Sequence, residues 1–246
     1  MIHHFNFNGQ DSRDYHVYIT NKNVYDKAEK DVSFIAIPGR DGDIIFDNGG
    51  YKNIDVVLSL RLIVPQIEQE TSDFDFYCNR ALNWLTQTSG YYTYYDSYDS
   101  DHYRKACIKS GVKLTQVRKD VADFQITLCC KPFRYRFDGD YSIELITNYS
   151  QLYNPEQFSS KPYMKITPVD GTTDFSIAVN NITYAFYRAD GYVEIDSDTM
   201  NVYKGNVNKN NDYAATSFPE FKPGTNSIAF VGNISSIEII PRWRTL

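Results

Sequence analysis

Alternating apolar and polar positions are the clearest pattern in the first half of the chain. Every second residue from Ile54 to Leu62 is apolar, and Asp55, Ser59 and Arg61 lie between them. This is the period of a strand with one buried face. Positions 122–128 repeat the pattern. The sequence therefore predicts two strands that turn one face towards a core.

One segment has the period of an amphipathic helix. Apolar residues between Phe74 and Leu85 form a single helical stripe. Ser72 stands where a side chain can cap the first turn, and Gly90 is placed to end the helix. We expect this helix to lie across a sheet and to cover its apolar face.

The second half reads as many short strands separated by turn residues. Phe175, Ile177 and Val179 alternate before Asn180-Asn181, and similar runs follow at close intervals. This spacing is typical of an antiparallel sandwich. Pro132 is expected to stop the preceding ladder because proline has no amide hydrogen. We therefore predict two domains, residues 1–135 and 136–246.

Two turn motifs stand before the strand at Ile54. Pro fixes φ and Gly accepts a positive φ, so the first motif predicts a bend. The second carries a DNGG run, a strong signal for chain reversal. The first contains Pro38, Gly39, Arg40, Asp41, Gly42 and Asp43, and the second contains Asp47, Asn48, Gly49, Gly50 and Tyr51.

The order of these motifs resembles the distal tail protein (Dit) family of long-tailed bacteriophages. The PGRDG turn is followed by the DNG and YKN residues that lead into a longer strand. The run from Lys131 to Tyr135 is similar to that family's junction between two domains. The run from Phe218 to Asn226 and the ending Pro241-Arg242-Trp243 are similar to its C-terminal part. The resemblance covers essentially the whole chain.

The resemblance implies a mainly β fold. An N-terminal β-sandwich-type domain with one α-helix would be followed by a C-terminal galectin-like antiparallel β-sandwich. It also implies that six copies form a hexameric ring, which joins the tail tube to the tail tip or baseplate and supports host adsorption. The ring would place the protein at the distal end of the tail in the virion, after synthesis in the bacterial cytoplasm.

The same resemblance implies the partners. They are further copies of the chain, the tail tube protein, a tail-tip or tail-associated protein, and a receptor-binding protein. No long insertion interrupts the second half, as in the short form that lacks an extended arm. Our candidates for the oligomer interface are the two turn motifs, from Pro38 to Asp43 and from Asp47 to Tyr51. The alternative is that both motifs only shape hairpins.

Charge limits the contact with DNA. The chain of 246 residues has a formal net charge of −6 and a sequence pI near 5.2, whereas sequence-independent binding of DNA needs a basic face. In the ring, DNA would only pass through the channel. The sequence contains no apolar run of about 20 residues, so we expect no membrane insertion. The N-terminal residues do not resemble a signal peptide.

The sequence gives little support for chemistry at a metal, cofactor or nucleophile. The four cysteines at 78, 107, 129 and 130 form no C-x-x-C motif, and we expect small buried thiols. Adjacent His3 and His4 cannot easily share one ion. Residues 96–101 offer oxygens for a calcium loop, but we interpret them as a polar hairpin tip. Cys107 and His102 have the chemistry of a catalytic pair, but we interpret them as isolated side chains. We expect no enzyme, no cofactor and no metal.

Carbohydrate binding is the alternative function. A sandwich with aromatic residues on its surface can stack a sugar ring, and we name Tyr187 and Trp243 as the candidates for stacking. The ligand would be a glycan of the host cell surface. A ring and a monomeric binding module differ first in assembly state, which size exclusion with light scattering would reveal.

Overall fold

The computed structural model describes residues 2–22, 26–65, 71–87, 89–109 and 111–246, and the side chains of 71–73 are not among the described atoms. The chain divides into two compact units, Met1–Arg134 with Leu246 and Tyr135–Thr245. Each unit has its own cluster of buried apolar side chains. The assignment of a ring-forming domain to residues 1–135 and a galectin-like domain to 136–246 stays a prediction.

The described residues of unit 1 form one main sheet, one α-helix and one separate pair of strands. The helix is α1 (Thr71–Thr86). The strands are β1 (Phe5–Phe7), β2 (Gln10–Asp11), β3 (Val17–Lys22), β4 (Lys30–Ile35), β5 (Ile44–Tyr51), β6 (Ile54–Ile63), β7 (Tyr92–Asp96), β8 (Asp99–Ile108), β9 (Thr115–Arg118) and β10 (Val121–Arg136). The main sheet has the order β2-β1-β7-β8-β10-β6-β3, with β9 paired to β10, while β4 and β5 pair with each other.

The core of unit 1 follows the periods read from the sequence. In β6 the side chains of Ile54, Val56, Leu58, Leu60 and Leu62 are all buried, which confirms the predicted half-buried strand. The helix buries the stripe that contains Ala81 and Leu85, and it also buries Tyr77 and Trp84. The two aromatic residues enlarge the apolar face of the helix. Its solvent face is polar except for Phe76, which is 60% exposed.

Three local predictions differ from the structure or lie outside it. The helix ends at Thr86, before Gly90. The side chain of Ser72, the expected cap, lies outside the described residues. Pro132 does not end β10, which continues to Arg136. The ladder between β10 and β6 already ends at the Cys130–Ile54 pair, so the missing amide hydrogen of Pro132 removes no bond to β6.

Unit 2 is an antiparallel sandwich of two sheets. The strands are β11 (Ile143–Leu145), β12 (Ser150–Asn154), β13 (Tyr163–Pro168), β14 (Phe175–Val179), β15 (Ile182–Phe186), β16 (Val193–Asp196), β17 (Asn201–Lys204), β18 (Val207–Asn208), β19 (Tyr213–Ala214), β20 (Gly224–Val231) and β21 (Ile234–Ile240). A last short strand, β22 (Arg244–Thr245), belongs to neither sheet. One sheet has the order β11-β21-β13-β16-β17-β18 and the other the order β12-β20-β14-β15-β19.

The two sheets of unit 2 share one core. Met164, Ile166 and Ile237 come from the first sheet, and Ile177 and Phe186 come from the second. Alternate residues of each strand supply this core, as the pattern in the second half predicts. The predictions of a mainly β fold, of one helix in the first half and of a sandwich in the second are confirmed for the described part of the chain.

Candidate functional site

The hairpin of β4 and β5 differs from the rest of unit 1. Its ladder runs from the Ile35–Ile44 pair at the tip to the Lys30–Tyr51 pair at the base. Within the described residues, neither strand pairs with the main sheet. A two-stranded hairpin without further cover is marginally stable in water. We therefore regard this hairpin as a surface that another element or molecule covers.

The end of the hairpin near its loop exposes large apolar side chains on both faces. The exposed fractions are 64% for Phe34, 64% for Ile45 and 58% for Phe46. Neighbouring residues of a strand point to opposite faces, so Phe34 and Ile35 mark one face each. The complete set, which we call the apolar tip, is Phe34, Ile35, Ile37, Ile44, Ile45 and Phe46.

The first turn motif forms the loop between the two strands. The Arg40 amide donates to the Ile37 carbonyl at 3.2 Å, and Gly39 has φ of +79°. Pro38 and Gly39 thus occupy the central positions of a type II turn, in which the second position needs a positive φ. The bend predicted from Pro38-Gly39 is therefore confirmed.

The charged residues of this loop do not pair with each other. Aspartates beside a glycine in a turn usually bond local backbone amides, but Asp41, Asp43 and the neighbouring Arg40 do not follow this pattern. Among the described residues, none of these three side chains has a hydrogen bond or ion pair. The loop therefore presents three free charges beside the apolar tip.

The second turn motif is not a chain reversal, and this corrects the expectation from the sequence. Val32 pairs with Asp47 and Asp31 pairs with Gly50, so Asn48 and Gly49 are extra residues inside β5. They form a β-bulge, which increases local twist without reversing the chain. The Asp47 Oδ1 atom accepts the Gly49 amide at 2.9 Å, and Gly49 takes φ of +80°.

Polar contacts hold this bulge at the base of the hairpin. The Lys30 Nζ atom lies 2.6 Å from the Asp47 Oδ2 atom. The bond from Lys30 and the bond from the Gly49 amide both favour the charged carboxylate, so the pKa of Asp47 lies below its ordinary value. The Asn48 amide donates to the Ser33 hydroxyl and to Asp31, each at 3.2 Å.

Tyr51 connects the base of the hairpin to the main part of unit 1. Its ring meets Phe133 edge to face with centroids 5.5 Å apart. The structure therefore separates the ten candidate interface residues into two groups. Pro38, Gly39, Arg40, Asp41, Gly42 and Asp43 lie in the loop, whereas Asp47, Asn48, Gly49 and Tyr51 lie at the opposite end of the hairpin.

Our sequence analysis missed the apolar tip itself. The available signal was the continuous apolar character of residues 34–37 and 44–46 on both sides of the PGRDGD loop. A strand with one buried face alternates, whereas a strand covered on both faces reads as a continuous apolar run. These runs indicated a hairpin with two faces to cover.

The two residues named for sugar stacking have different environments. Tyr187 is 46% exposed. Trp243 is 5% exposed and lies in the core of unit 2, with its ring 5.8 Å from that of Phe221. Stacking on a sugar needs an accessible ring face. Trp243 is therefore withdrawn as a stacking residue, and Tyr187 stays a prediction.

Unit 2 contains a groove lined in part by Ile182 and Tyr184 of β15. Its volume is about 520 Å³, and its lining includes Lys161, Tyr184, Phe218 and Lys222. Ser197 also lines the groove, and its buried hydroxyl has no hydrogen-bond partner. Buried polar groups usually have a partner, so this hydroxyl is an unsatisfied group behind the wall of the groove.

His102 and Cys107, the candidate catalytic pair, do not lie close together in the structure. His102 and Cys107 lie five residues apart on β8, a separation of more than about 10 Å along a strand. His102 Nδ1 instead lies 2.8 Å from Asp99 Oδ1. The described residues contain no group of three or more His, Cys, Asp or Glu side chains that could hold a metal. They also include no helix that is long and apolar enough to cross a membrane.

Comparison with known proteins finds a similar fold among solved structures. No family model matches this sequence, and no curated protein matches it. Among solved structures, the chain is similar to the SPP1 Dit (gp 19.1) protein, with a TM-score of 0.76, 10% identity and coverage of 100% of both chains. That protein is described as a paradigm of the hub adsorption apparatus in phages that infect Gram-positive bacteria. The chain therefore has the fold of SPP1 Dit along its whole length.

Proposed function

We propose that this protein is a structural hub at the distal end of a phage tail and that it acts as a homohexameric ring. The observation that carries the proposal is the apolar tip on a hairpin that pairs with no other strand of the described chain. The shared fold with SPP1 Dit, a hub adsorption protein, supports the same role.

Burial of the apolar tip gives a physical reason for assembly. Fully burying one large apolar side chain contributes about 1.5–3 kcal/mol. Phe34, Ile45 and Phe46 are each more than half exposed in the single chain. A neighbouring copy that covers them would therefore stabilise the assembly by much of this free energy. A ring closes when the hairpin of one copy meets a different surface of the next, with the same rotation at every contact.

The free charges of the loop suit an interface of this kind. Arg40, Asp41 and Asp43 have no partner within the described chain, so each can pair with an opposite charge on the neighbouring copy. Such pairs contribute more to orientation and specificity than to affinity. The interface that we propose therefore contains the apolar tip, the residues from Pro38 to Asp43, and the bulge residues from Asp47 to Tyr51.

The ring would connect other parts of the tail. Its partners would be the tail tube protein on one side, a tail-tip or tail-associated protein on the other, and a receptor-binding protein during adsorption. The net charge of −6 suits a channel through which DNA passes without binding. In this role the protein is not an enzyme. It would be made in the host cytoplasm and carried in the virion.

Light scattering coupled to size exclusion tests the ring. We expect a mass near six times 28.5 kDa at high concentration, and rings in negative stain. The Phe34→Asp variant places a charge in the apolar tip and should remain monomeric. Because Phe34 is exposed in the single chain, the melting temperature of the monomer should not change.

Val117→Asp is the matched control, because Val117 is 53% exposed in the same unit but lies in β9. It should assemble like the parent protein. A parent protein that stays monomeric at all concentrations and in the presence of tail tube and tail-tip proteins would contradict the hub proposal. A Phe34→Asp variant that still forms the ring would contradict the hairpin interface.

Glycan binding by unit 2 is a second candidate function, favoured by the groove of about 520 Å³ and the aromatic and lysine side chains that line it. Phe218 supplies an aromatic ring, and Lys161 and Lys222 supply hydrogen-bond donors. A glycan array with the parent protein and a Phe218→Ala variant tests it, with Tyr187→Ala examined separately. Binding that disappears with Phe218→Ala supports the groove, and an array without any bound glycan contradicts this second function.

A further inference from the structure

Two cysteines face each other across neighbouring strands of unit 1. Strands β8 and β10 are adjacent in the main sheet. The Lys109 amide donates to the Thr127 carbonyl at 3.0 Å, which fixes the antiparallel register. Cys107 of β8 lies two residues before Lys109, and Cys129 of β10 lies two residues after Thr127. The antiparallel register therefore places Cys107 opposite Cys129.

The Arg104 guanidinium also reaches from β8 to β10 and donates to the Pro132 carbonyl at 3.0 Å, a side-chain contact that joins the two strands without setting their register. Residues directly opposite each other in a hydrogen-bonded pair have Cα atoms about 5.5 Å apart. Disulfides join residues whose Cα atoms are about 4.4–6.8 Å apart. The Cα separation expected for such a pair lies within the disulfide range, whereas its Cβ atoms, about 5 Å apart, must approach each other by a fraction of an ångström for the bond to form.

The two thiols also lie on the same face of the sheet. Cys107 is half-buried and follows the buried Ala106, while Cys129 is half-buried between the buried Leu128 and Cys130. The thiols of Cys107 and Cys129 are within hydrogen-bond reach of each other. The sequence led us to expect buried thiols, but only Cys130 is buried. The outward pair is accessible to small reagents.

We propose that Cys107 and Cys129 form a cross-strand disulfide when the folded protein meets a low-molecular-weight disulfide oxidant, such as oxidised glutathione. The thiolate of one cysteine attacks the glutathione disulfide and releases one glutathione thiolate. The second cysteine loses its proton, attacks the mixed disulfide and releases the other. Two protons and two electrons pass from the protein to the oxidant, which leaves as two molecules of reduced glutathione.

The surroundings make this reaction slow without preventing it. Burial, the adjacent Cys129 and the carboxylate of Asp55 all raise the pKa of the Cys107 thiol above its ordinary value. The thiolate is the reactive form, so oxidation should accelerate as pH rises. In a reducing cytosol the pair would stay as thiols, and in an oxidising medium it would become a bond that ties β8 to β10.

No other pair among the described cysteines has this arrangement. Cys130 follows Cys129 directly and points to the opposite face of β10, into the core. Cys78 lies in the helix. The disulfide would close the loop that contains β9 and would thereby restrict the unfolded chain.

Oxidation of the full chain in glutathione buffers tests the proposal. The parent protein has four free thiols, and we expect two after oxidation, with a loss of about 2 Da in intact mass because two hydrogens leave. Proteolysis should give one linked species that joins Cys107 to Cys129, and a Cys130→Ala variant should keep this link. We expect the melting temperature of unit 1 to rise by roughly 5–10 °C.

Single variants separate this bond from other oxidation. Cys107→Ser and Cys129→Ser should each abolish both the link and the rise in melting temperature. Cys78→Ser is the matched control and should retain both. Four thiols remaining in the folded parent protein at the most oxidising glutathione ratio and at pH 9 would overturn the proposal. So would a bond that involves Cys78 or joins two chains.

Discussion

Phe34 pairs with Ile45 across the β4–β5 hairpin, and each side chain is 64% exposed. A cross-strand pair of this kind normally contributes to a sheet by packing against a core. Here no core lies on either side within the described part of unit 1. The pair therefore gives its full apolar contribution only when another molecule covers it, which links the stability of the hairpin to assembly.

Shortening one side chain of this pair should weaken the ring without weakening the monomer. We expect Ile45→Ala to lower the association constant by roughly 10- to 100-fold per contact, since about 1.5–3 kcal/mol of apolar burial is lost. Sedimentation across a concentration series measures this change. Val117→Ala, in β9, is the control and should leave association unchanged. Equal affinity of Ile45→Ala and the parent protein would show that the pair stays exposed in the assembly.

The sequence predicted those elements that bury one face, because burial of one face imposes a period. The alternation in β6 and β14 and the helical stripe around Ala81 are all seen. It did not predict the apolar tip as a surface, because residues 34–37 and 44–46 are apolar without a period. Most of these side chains are exposed in the single chain, so burial within the chain does not explain why they are apolar.

Two strong local signals were read wrongly for the same physical reason. The Asp47-Asn48-Gly49-Gly50 run has the chemistry of a turn, but here its side chains bond within the hairpin and form a bulge. Pro132 cannot donate to a ladder, yet β10 continues past it because its pairing with β6 has already ended. In both places the tertiary pairing decides how a local preference is used.

The left-handed backbone at Gly39 predicts a measurable cost for a side chain. Gly39 has φ of +79°, and a Cβ atom there would meet no other atom within 4 Å, so only backbone strain acts. Gly39→Ala should cost about 1 kcal/mol and speed amide exchange in β4 and β5 about fivefold. Gly50→Ala, in the same hairpin without a positive φ, is the control. Equal exchange in the two variants would contradict the type II turn.

The close approach of Gly139 to Trp243 predicts a larger effect in unit 2. A Cβ atom on Gly139 would lie 2.5 Å from the Trp243 backbone nitrogen. The Arg242 amide also donates to the Gly139 carbonyl at 2.8 Å, so neither segment can move away freely. Gly139→Ala should lower the free energy of unfolding of unit 2 by about 1–3 kcal/mol, as overpacking does.

Chemical denaturation followed by Trp243 fluorescence in a Trp84→Phe background measures the stability of unit 2. Gly111→Ala is a suitable control, because a Cβ atom there would meet nothing within 4 Å. The control should unfold at the parent denaturant concentration. Unchanged stability of Gly139→Ala would show that the two segments are further apart than the structure places them.

The Asp99 carboxylate predicts a dependence of unit 1 stability on acid. Asp99 accepts from His102 at 2.8 Å and from Arg134 at 2.7 Å. The His102 bond is the largest favourable cause, and together these partners lower the pKa of Asp99 from 3.8 to about 2. Because the pKa of Asp99 is lower in the folded chain, its contribution to stability is complete at pH values above the pKa of the unfolded state. This contribution is lost as pH falls towards the pKa of the folded state. Asp99 is half-buried, so we expect about 1–2 kcal/mol after screening by solvent.

This contribution should disappear from the pH profile of an Asp99→Asn variant. The parent protein should lose it between about pH 4 and pH 2, whereas the variant should lack it at neutral pH and change less over that interval. Denaturation followed by Trp84 fluorescence in a Trp243→Phe background reports on unit 1. Asp41→Asn is the matched control, because Asp41 has no partner in the described chain, and its profile should follow the parent. Parallel profiles for Asp99→Asn and the parent protein would mean that His102 and Arg134 do not stabilise the folded carboxylate.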